Sequence, residues 1–363
     1  MSRLFIDDFC GKTYHLRLFS VYQLRTKSLA ADVRASFILK LEAWGQEFGG
    51  DWVSLNDKTS VFYFKGDAPQ ANIVALQQWP EVVSLVSESA PPFTVSEIAN
   101  KQVTIQGAMF GSGAASIIAG PCSVEDYDSM LGIAQKLSAL GVRALRAGAF
   151  KPRTSPYAFQ GLGEKGLEIL SAVSKETGMA IVTEVLDPRD VGVVSQHANM
   201  LQIGSRNMSN SALLKEVGQA GVPVLLKRGM ASTIKEFLFA AEYVAVGGCD
   251  DILLCERGLR HFDPEVRNIF DLSAIALLKQ KTGLPVIADP SHGTGRADLV
   301  PSMMCAAAAS GADGFLIEVH DKPQNSWSDA DQALSVESFA QTLPRLEAVL
   351  SVFEKNLNPI LAK

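Results

Sequence analysis

Cysteine is scarce in this chain of 363 residues: there are five, at positions 10, 122, 249, 255 and 305, and none forms a C-x-x-C pair. An odd, widely spaced set argues against a disulfide framework or a structural zinc knot, so buried free thiols are expected everywhere but Cys122. No stretch approaches the roughly 20 apolar residues of a membrane span, and the opening MSRLFIDDFCGK has early acidic residues and no apolar leader core. The expectation is a cytoplasmic protein that engages no membrane. Positive charge is not in excess either: the formal net charge is −6, which offers no global attraction to nucleic acid and turns attention to small anions as partners. There is no Walker motif, and GLGEKG at 161–166 lacks the strand-then-helix setting of a dinucleotide fingerprint. ATP and nicotinamide are therefore not suggested. Low-complexity sequence is absent, and 47% apolar with 20% charged residues describes a folded chain with a large core.

What is present is a recurring pattern. From Ser116 onward, short apolar runs alternate with longer amphipathic stretches: SIIAG, VRALRAGAF, AIVTEVL, MLQIGS, VPVLLKRG, DDILLCERG, LPVIADP and GFLIEVH. Strands alternating with helices imply parallel βαβ units, and eight units over about 240 residues suit an α/β fold of the (β/α)8 barrel type. The chain exceeds one barrel, and the surplus is N-terminal. Residues 1–93 read as strand (YHLRLFSV), helix, strand, strand, helix, strand, the βαββαβ order of a small ferredoxin-like domain. Residues 94–114 read as a linker and hairpin, with Asn100 and Lys101 near its turn, placed to cover the N-terminal mouth of a barrel spanning 115–363. The last segment, SVESFAQTLPRLEAVLSVFEKN, supplies the eighth helix, with Pro344 expected to kink it or start a new one.

The strand ends carry the chemistry, because in such barrels they form one active-site face. Cys122 follows the first run, His292 the seventh, and Glu318 with the nearby Asp329 the eighth. A thiolate, an imidazole and two carboxylates suit one divalent first-row ion, whether manganese, iron, cobalt or zinc. A second set is cationic: Arg146, Lys151, Arg153, Arg206, Lys227, Arg228, Arg257 and Arg260. Arginine forks and lysine point charges converging in one cleft imply one or two multiply anionic substrates; Arg228 and Arg260 read as solvated surface residues. In RAGAFKPRTSPY, Pro152 and Pro156 stiffen the loop presenting Lys151, Arg153 and Thr154. His320 shares a strand face with Glu318, whereas His15, His197 and His261 read as structural or surface residues.

These motifs together (IIAGPCSVE, LRAGAFKPRTSPYAFQGLGEKGLEIL, TEV, QIGSRN, LLKRG, LCERG, DPSHGTGR and IEVH) closely resemble the 3-deoxy-D-arabino-heptulosonate 7-phosphate synthases of type I-beta, from about Phe93 onward. The N-terminal order resembles the regulatory extension that some members carry. The resemblance implies condensation of phosphoenolpyruvate with erythrose 4-phosphate, the first committed step of the shikimate pathway. It implies that Arg146 and Lys227 bind the phosphoenolpyruvate carboxylate, and that Arg206, Arg257 and the backbone N–H of Ser205 bind its phosphate. Lys151 falls between the substrates, and Arg153 with Thr154 on the phosphate of erythrose 4-phosphate. Cys122, His292, Glu318 and Asp329 match the metal ligands, with Asp331 the alternative to Asp329 because the usual Ser-Asp-Gly reads SDAD here; Glu184 and Asp289 are orienting groups. Feedback inhibition by tyrosine or phenylalanine through the N-terminal domain, and a homodimer or homotetramer, are also implied. The nearest alternative is 3-deoxy-D-manno-octulosonate 8-phosphate synthase, whose loop reads KANRSS where this chain has KPRTS; an inactive-barrel regulatory protein is the other.

Overall fold

Eight apolar runs fold as eight parallel strands: β1 (Ala114–Gly120), β2 (Ala144–Arg146), β3 (Ala180–Glu184), β4 (Met200–Ile203), β5 (Val224–Lys227), β6 (Ile252–Glu256), β7 (Val286–Ala288) and β8 (Gly314–His320). Each pairs with the next, and β8 returns to β1 with Gly314 opposite Ser116 and Glu318 opposite Gly120, so the ladder closes into a (β/α)8 barrel with no free edge. Every residue of these strands is buried. A parallel strand covered on both faces has no polar face to show, hence the unbroken apolar runs.

This computed structural model describes residues 4–7, 13–16, 20–27, 29–48, 50–54, 61–66, 68–87, 95, 101–153 and 155–358. The chain divides into two compact units, Met1–Pro92 and Phe93–Lys363. In the second, amphipathic helices alternate with the strands: α1 (Tyr127–Ala139), α2 (Glu164–Thr177), α3 (Val191–His197), α4 (Ser211–Gln219), α5 (Ile234–Gly247), α6 (Leu272–Lys281), α7 (Val300–Ala309) and α8 (Val336–Val352). Their starts are written in side chains that accept orphan N–H groups. Asp126 caps α1 and Asp271 caps α6, while Thr233 and Glu236 form a reciprocal capping box on α5. No helix among the described residues is long and apolar enough to cross a membrane.

Inside the barrel, Ile118, Val182, Leu225, Leu253, Ile287 and Leu316 pack on Val103, Ile105 and Phe110 of a preceding hairpin. The hairpin therefore plugs the end where the strands begin, which leaves the opposite end to polar groups. Its strands are Val103–Ile105 and Ala108–Phe110, so the turn lies at Gln106–Gly107 and not near Asn100–Lys101. Both turn residues have positive φ, 41° and 88°, as a two-residue mirror-image turn requires. Lys101 instead donates its backbone N–H to Gly283 O at 2.8 Å. Pro344 starts no new helix: α8 continues through it. Its apolar face, Phe339, Leu343, Leu346 and Leu350, is buried without interruption, and that packing outweighs a proline cost of about 3 kcal/mol.

The first unit has the order βαββαβ, with an antiparallel sheet running Asp51–Ser54, Val61–Gly66, Ser20–Thr26, Val82–Ser87 and helices Ala31–Glu47 and Gln70–Gln77. Leu24, Phe37, Leu41, Phe62, Phe64 and Leu85 form its core. Its first sheet strand begins at Ser20, later than YHLRLFSV suggested; Thr13–Leu16 pairs with Leu4–Asp7 instead.

Phe110 is fully buried against the barrel interior. Phe110→Ala is expected to cost about 3–5 kcal/mol, read as a shifted urea midpoint at constant slope. A loss below about 1 kcal/mol would show that the plug is not packed as described.

Candidate active site

The first turn after β1 delivers Cys122. Gly120 precedes it at φ 151°, and a Cβ there would lie 2.2 Å from Arg146 O, so only glycine lets β1 and β2 approach this closely. The Cys122 thiol donates to Asp329 Oδ2 at 3.0 Å, and Lys151 Nζ donates to both Cys122 Sγ at 3.0 Å and Cys122 O at 2.9 Å. Glu318, on β8, accepts from Arg146 Nη1 at 2.9 Å and from Gln332 Nε2 at 2.7 Å. Cys122, Glu318 and Asp329 bring one ligand atom each within 4.8 Å of one another. His292 Nε2 adjoins them, 3.4 Å from Glu318 Oε1. Asp331 is not in the group; its carbonyl accepts from Ala297 N at 2.9 Å. Asp329 reaches the group from a left-handed backbone, φ 52°, uncommon for a residue with a Cβ.

Burial sets the protonation states. It pushes the Cys122 thiol up, and Glu318 pushes it further against the pull of Lys151 and Arg146. Burial lowers His292, against the opposite pull of Asp289. Its Nδ1 lies 2.8 Å from Asp289 Oδ2, a partner that keeps a proton on Nδ1 and turns Nε2 toward Glu318. Burial would raise Asp289, but His292 and the ammonium of Lys227, which donates to it, hold it well below the carboxylate range. Asp329 is likewise opposed by burial, yet the Cys122 hydrogen bond and His292 bring it to about 2. The carboxylates of Glu318 and Asp329 thus meet beside one thiol, an arrangement that a cation completes.

Around this group opens a pocket whose walls include Arg146, Lys151, Arg153, Arg206, Lys227 and Arg257. Glu184, Ser205, His292 and Asp329 line it too, with Gln202, Gly204 and Arg267. Arg146 and Arg257 are buried, and among the described residues the Nε of each has no hydrogen-bond partner; guanidiniums left short of acceptors in a cleft suit an anionic ligand. Arg153 donates from Nε to Phe159 O at 3.1 Å. Thr154 lies outside the described residues.

Some residues are placed otherwise than expected. Arg228 is no surface residue: it is 4% exposed and donates to Glu256 and Asp271, each at 2.9 Å. Alternation along the strand sends Lys227 to the pocket and Arg228 to the opposite side. Arg260 is exposed. His320 Nε2 lies 3.3 Å from Glu125, which also accepts from Trp327 N, so this histidine ties down the loop that carries Asp329. Gln332, Arg267 and Gly204 were not singled out from sequence. A glutamine in a loop carries no signal of its own, but a glycine closing QIG before Ser205 did: a Cβ at 204 would sit 1.9 Å from Glu184 Oε1.

Comparison with known proteins bears on this geometry. The model of the DAHP synthetase I family matches residues 95–351. The chain belongs to that family. It is 46% identical over 248 residues to phospho-2-dehydro-3-deoxyheptonate aldolase of Thermotoga maritima, covering 68% of this chain and 73% of the relative. A 2-dehydro-3-deoxyphosphooctonate aldolase of Syntrophobacter fumaroxidans is 30% identical over 266 residues, 68% of this chain and 90% of that one. Among solved structures, the Thermotoga maritima DAHP synthase superposes with TM-score 0.73 at 37% identity, covering 93% of this chain and 99% of the other. A truncated form of the Thermotoga enzyme gives 0.68 at 42% identity over 72% and 96%. Family membership makes the chain an enzyme of the DAHP synthase class and the pocket its candidate active site.

Gly204→Ala is expected to drive Glu184 from its place, costing about 1–3 kcal/mol of stability together with most of the turnover. A variant with unchanged melting temperature and turnover would contradict the packing of Gly204 on Glu184.

Proposed function

We propose that the chain condenses phosphoenolpyruvate with D-erythrose 4-phosphate and water to give 3-deoxy-D-arabino-heptulosonate 7-phosphate and inorganic phosphate, in a metal-dependent reaction opening the shikimate pathway. The observation that carries the proposal is seven basic side chains lining one pocket beside a thiol, an imidazole and two carboxylates. Two phosphates and a carboxylate need such a cationic wall.

Arg146 and Lys227 are assigned to the carboxylate of phosphoenolpyruvate. Both are already pinned, by Glu318 and Asp289, so they meet the substrate without reorganising. Arg206, Arg257 and the backbone N–H of Ser205 take its phosphate, and Arg153 with Thr154 the phosphate of the aldehyde. Lys151, 3.0 Å from Cys122 Sγ, stands between the substrates as proton donor or electrostatic stabiliser. Glu184 and Asp289 orient groups around it. Cys122, His292, Glu318 and Asp329 would hold one divalent ion, manganese, iron, cobalt or zinc. When bound, such an ion supplies Lewis acidity that polarises the aldehyde toward C3 of phosphoenolpyruvate. Water then adds at C2, and phosphate leaves.

The KPRTS run supports the four-carbon aldehyde over the five-carbon one used by octulosonate synthases. The N-terminal unit supports feedback inhibition by tyrosine or phenylalanine, since allostery needs a second site with differential affinity and a separate compact unit offers room for one. We further propose a homodimer or homotetramer.

Phosphate release in the presence of manganese is expected with erythrose 4-phosphate, to exceed that with arabinose 5-phosphate, and to vanish on chelation; Cys122→Ala should lower it at least about a hundredfold, since even groups that only support a ligand cost 10–100-fold. Turnover only with the five-carbon sugar would overturn the substrate assignment. Because burial keeps the Cys122 thiol protonated near neutrality, metal uptake as thiolate should release a proton. Apparent metal affinity should then climb about tenfold per pH unit through neutrality, and calorimetry in two buffers of different ionisation enthalpy would detect it; identical heats would argue against thiolate ligation. Removing residues 1–93 should abolish inhibition by aromatic amino acids while turnover persists. Inhibition surviving the truncation would move the effector site into the barrel.

A further inference from the structure

The two loops that flank β1 meet through a pair of aromatic rings. The loop after β2 is closed at its base, where Lys151 N donates to Gln160 O at 2.9 Å and Phe150 bridges to Gly161. Within it, Phe159 O accepts from Arg153 Nε at 3.1 Å, so the placement of Phe159 sets the placement of the guanidinium. The loop after β8 is held from below: Trp327 N donates to Glu125 Oε1 at 2.9 Å, and Ser328 Oγ lies 3.0 Å from Ser123 Oγ. Asp329 follows directly and accepts from Cys122. Between these loops the rings of Phe159 and Trp327 stand 5.2 Å apart at 88°. Edge-to-face contact of this kind matches the positive rim of one ring to the negative face of the other.

Trp327 is 52% exposed. A tryptophan left half in water does little for the core, and here its ring spans from one functional loop to another. Resting on the assignments of Asp329 to the metal and Arg153 to the phosphate of the aldehyde substrate, we infer that Trp327 and Phe159 are positioning residues that couple the two. Metal on Asp329 fixes the backbone carrying Trp327; Trp327 fixes Phe159; the Phe159 carbonyl then holds Arg153 toward the pocket. By linkage the coupling is reciprocal: phosphate on Arg153 strengthens metal binding by the same factor. Neither ring touches the reacting atoms in this account. Their effect falls on one substrate, because the groups assigned to phosphoenolpyruvate are Arg146 on β2, Lys227 on β5, and Ser205, Arg206 and Arg257 in the turns after β4 and β6, none of them in a loop that carries either ring.

The test uses the full-length protein and a probe that keeps the phosphate but lacks the aldehyde, erythritol 4-phosphate, so that no carbonyl can link the two sites through the metal. Its dissociation constant is measured by calorimetry at saturating phosphoenolpyruvate, with and without manganese. In the wild type, manganese should tighten the probe severalfold, at most about tenfold, the range an aromatic pair supplies. Trp327→Ala and Phe159→Ala should each abolish that ratio, the double variant should do no more than either alone, and Trp327→Phe should retain most of it. In steady state, Trp327→Ala should raise the KM for erythrose 4-phosphate by the same factor and leave the KM for phosphoenolpyruvate and the melting temperature unchanged. A merely structural tryptophan would shift both KM values or the melting temperature together. A wild-type ratio of one, a ratio unchanged in Trp327→Ala, or a parallel rise in both KM values overturns the inference. Absence of product with erythrose 4-phosphate would instead overturn the proposed reaction, and the binding ratio is read without turnover.

Discussion

The carboxylate of Glu318 is the charge on which the site depends. It is 1% exposed, on the strand that closes the barrel, and an ion so desolvated persists only with partners. Arg146 and Gln332 supply them at 2.9 and 2.7 Å. Burial alone would raise its carboxyl, and the neighbouring His292 and Arg146 keep it below the ordinary value. Each partner has further duties: Arg146 also donates to Pro121 O, which sets the turn before Cys122, and Gln332 accepts from Arg267. Removing the carboxylate would leave Arg146 and Gln332 without the acceptor they share. The same balance recurs at Asp289, where Lys227 and His292 share one buried carboxylate. Two such carboxylates hold the cationic wall in place before any anion arrives, and low dielectric gives fixed charges their strength.

The rest of the barrel serves to leave this face polar and the other apolar. Phe110 and its hairpin fill the end where the strands start, Gly314 there leaving space that a Cβ would contest at 2.7 Å from the Phe110 ring. Helix caps fix where each return segment begins. The loops after the strands are then free to differ, and in this chain they carry a thiol, a lysine stacked on it by hydrogen bonds, and an aspartate in a left-handed conformation.

Much of this was legible beforehand, for physical reasons. Parallel strands buried on both faces must be apolar along their length, so all eight stood out, and their polar ends marked the site. Cys122, Arg146, Lys151, Lys227, Asp289 and Glu318 are strand-end residues and were found that way. What was hidden depends on contacts between distant segments. Arg228 looked like a surface arginine because its partners, Glu256 and Asp271, lie 28 and 43 residues away. Gln332 and Arg267 have no signature apart from the carboxylates they touch. The hairpin turn was misplaced because Asn100 and Lys101 resemble turn residues, whereas Gln106 takes positive φ only because Gly107 follows it and the paired strands demand it. The first sheet strand of the N-terminal unit reads too early in the sequence because YHLRLFSV contains no glycine or proline to divide it.

The proposed cation site unites the thiol, imidazole and two carboxylates at the meeting of the first, seventh and eighth strands. Crystals grown with manganese and phosphoenolpyruvate, with diffraction recorded at the manganese edge, test it directly. One anomalous peak is expected, bonded to Cys122 Sγ, His292 Nε2, Glu318 and Asp329. A peak that omits Cys122, engages Asp331 in place of Asp329, or lies elsewhere in the barrel would contradict it.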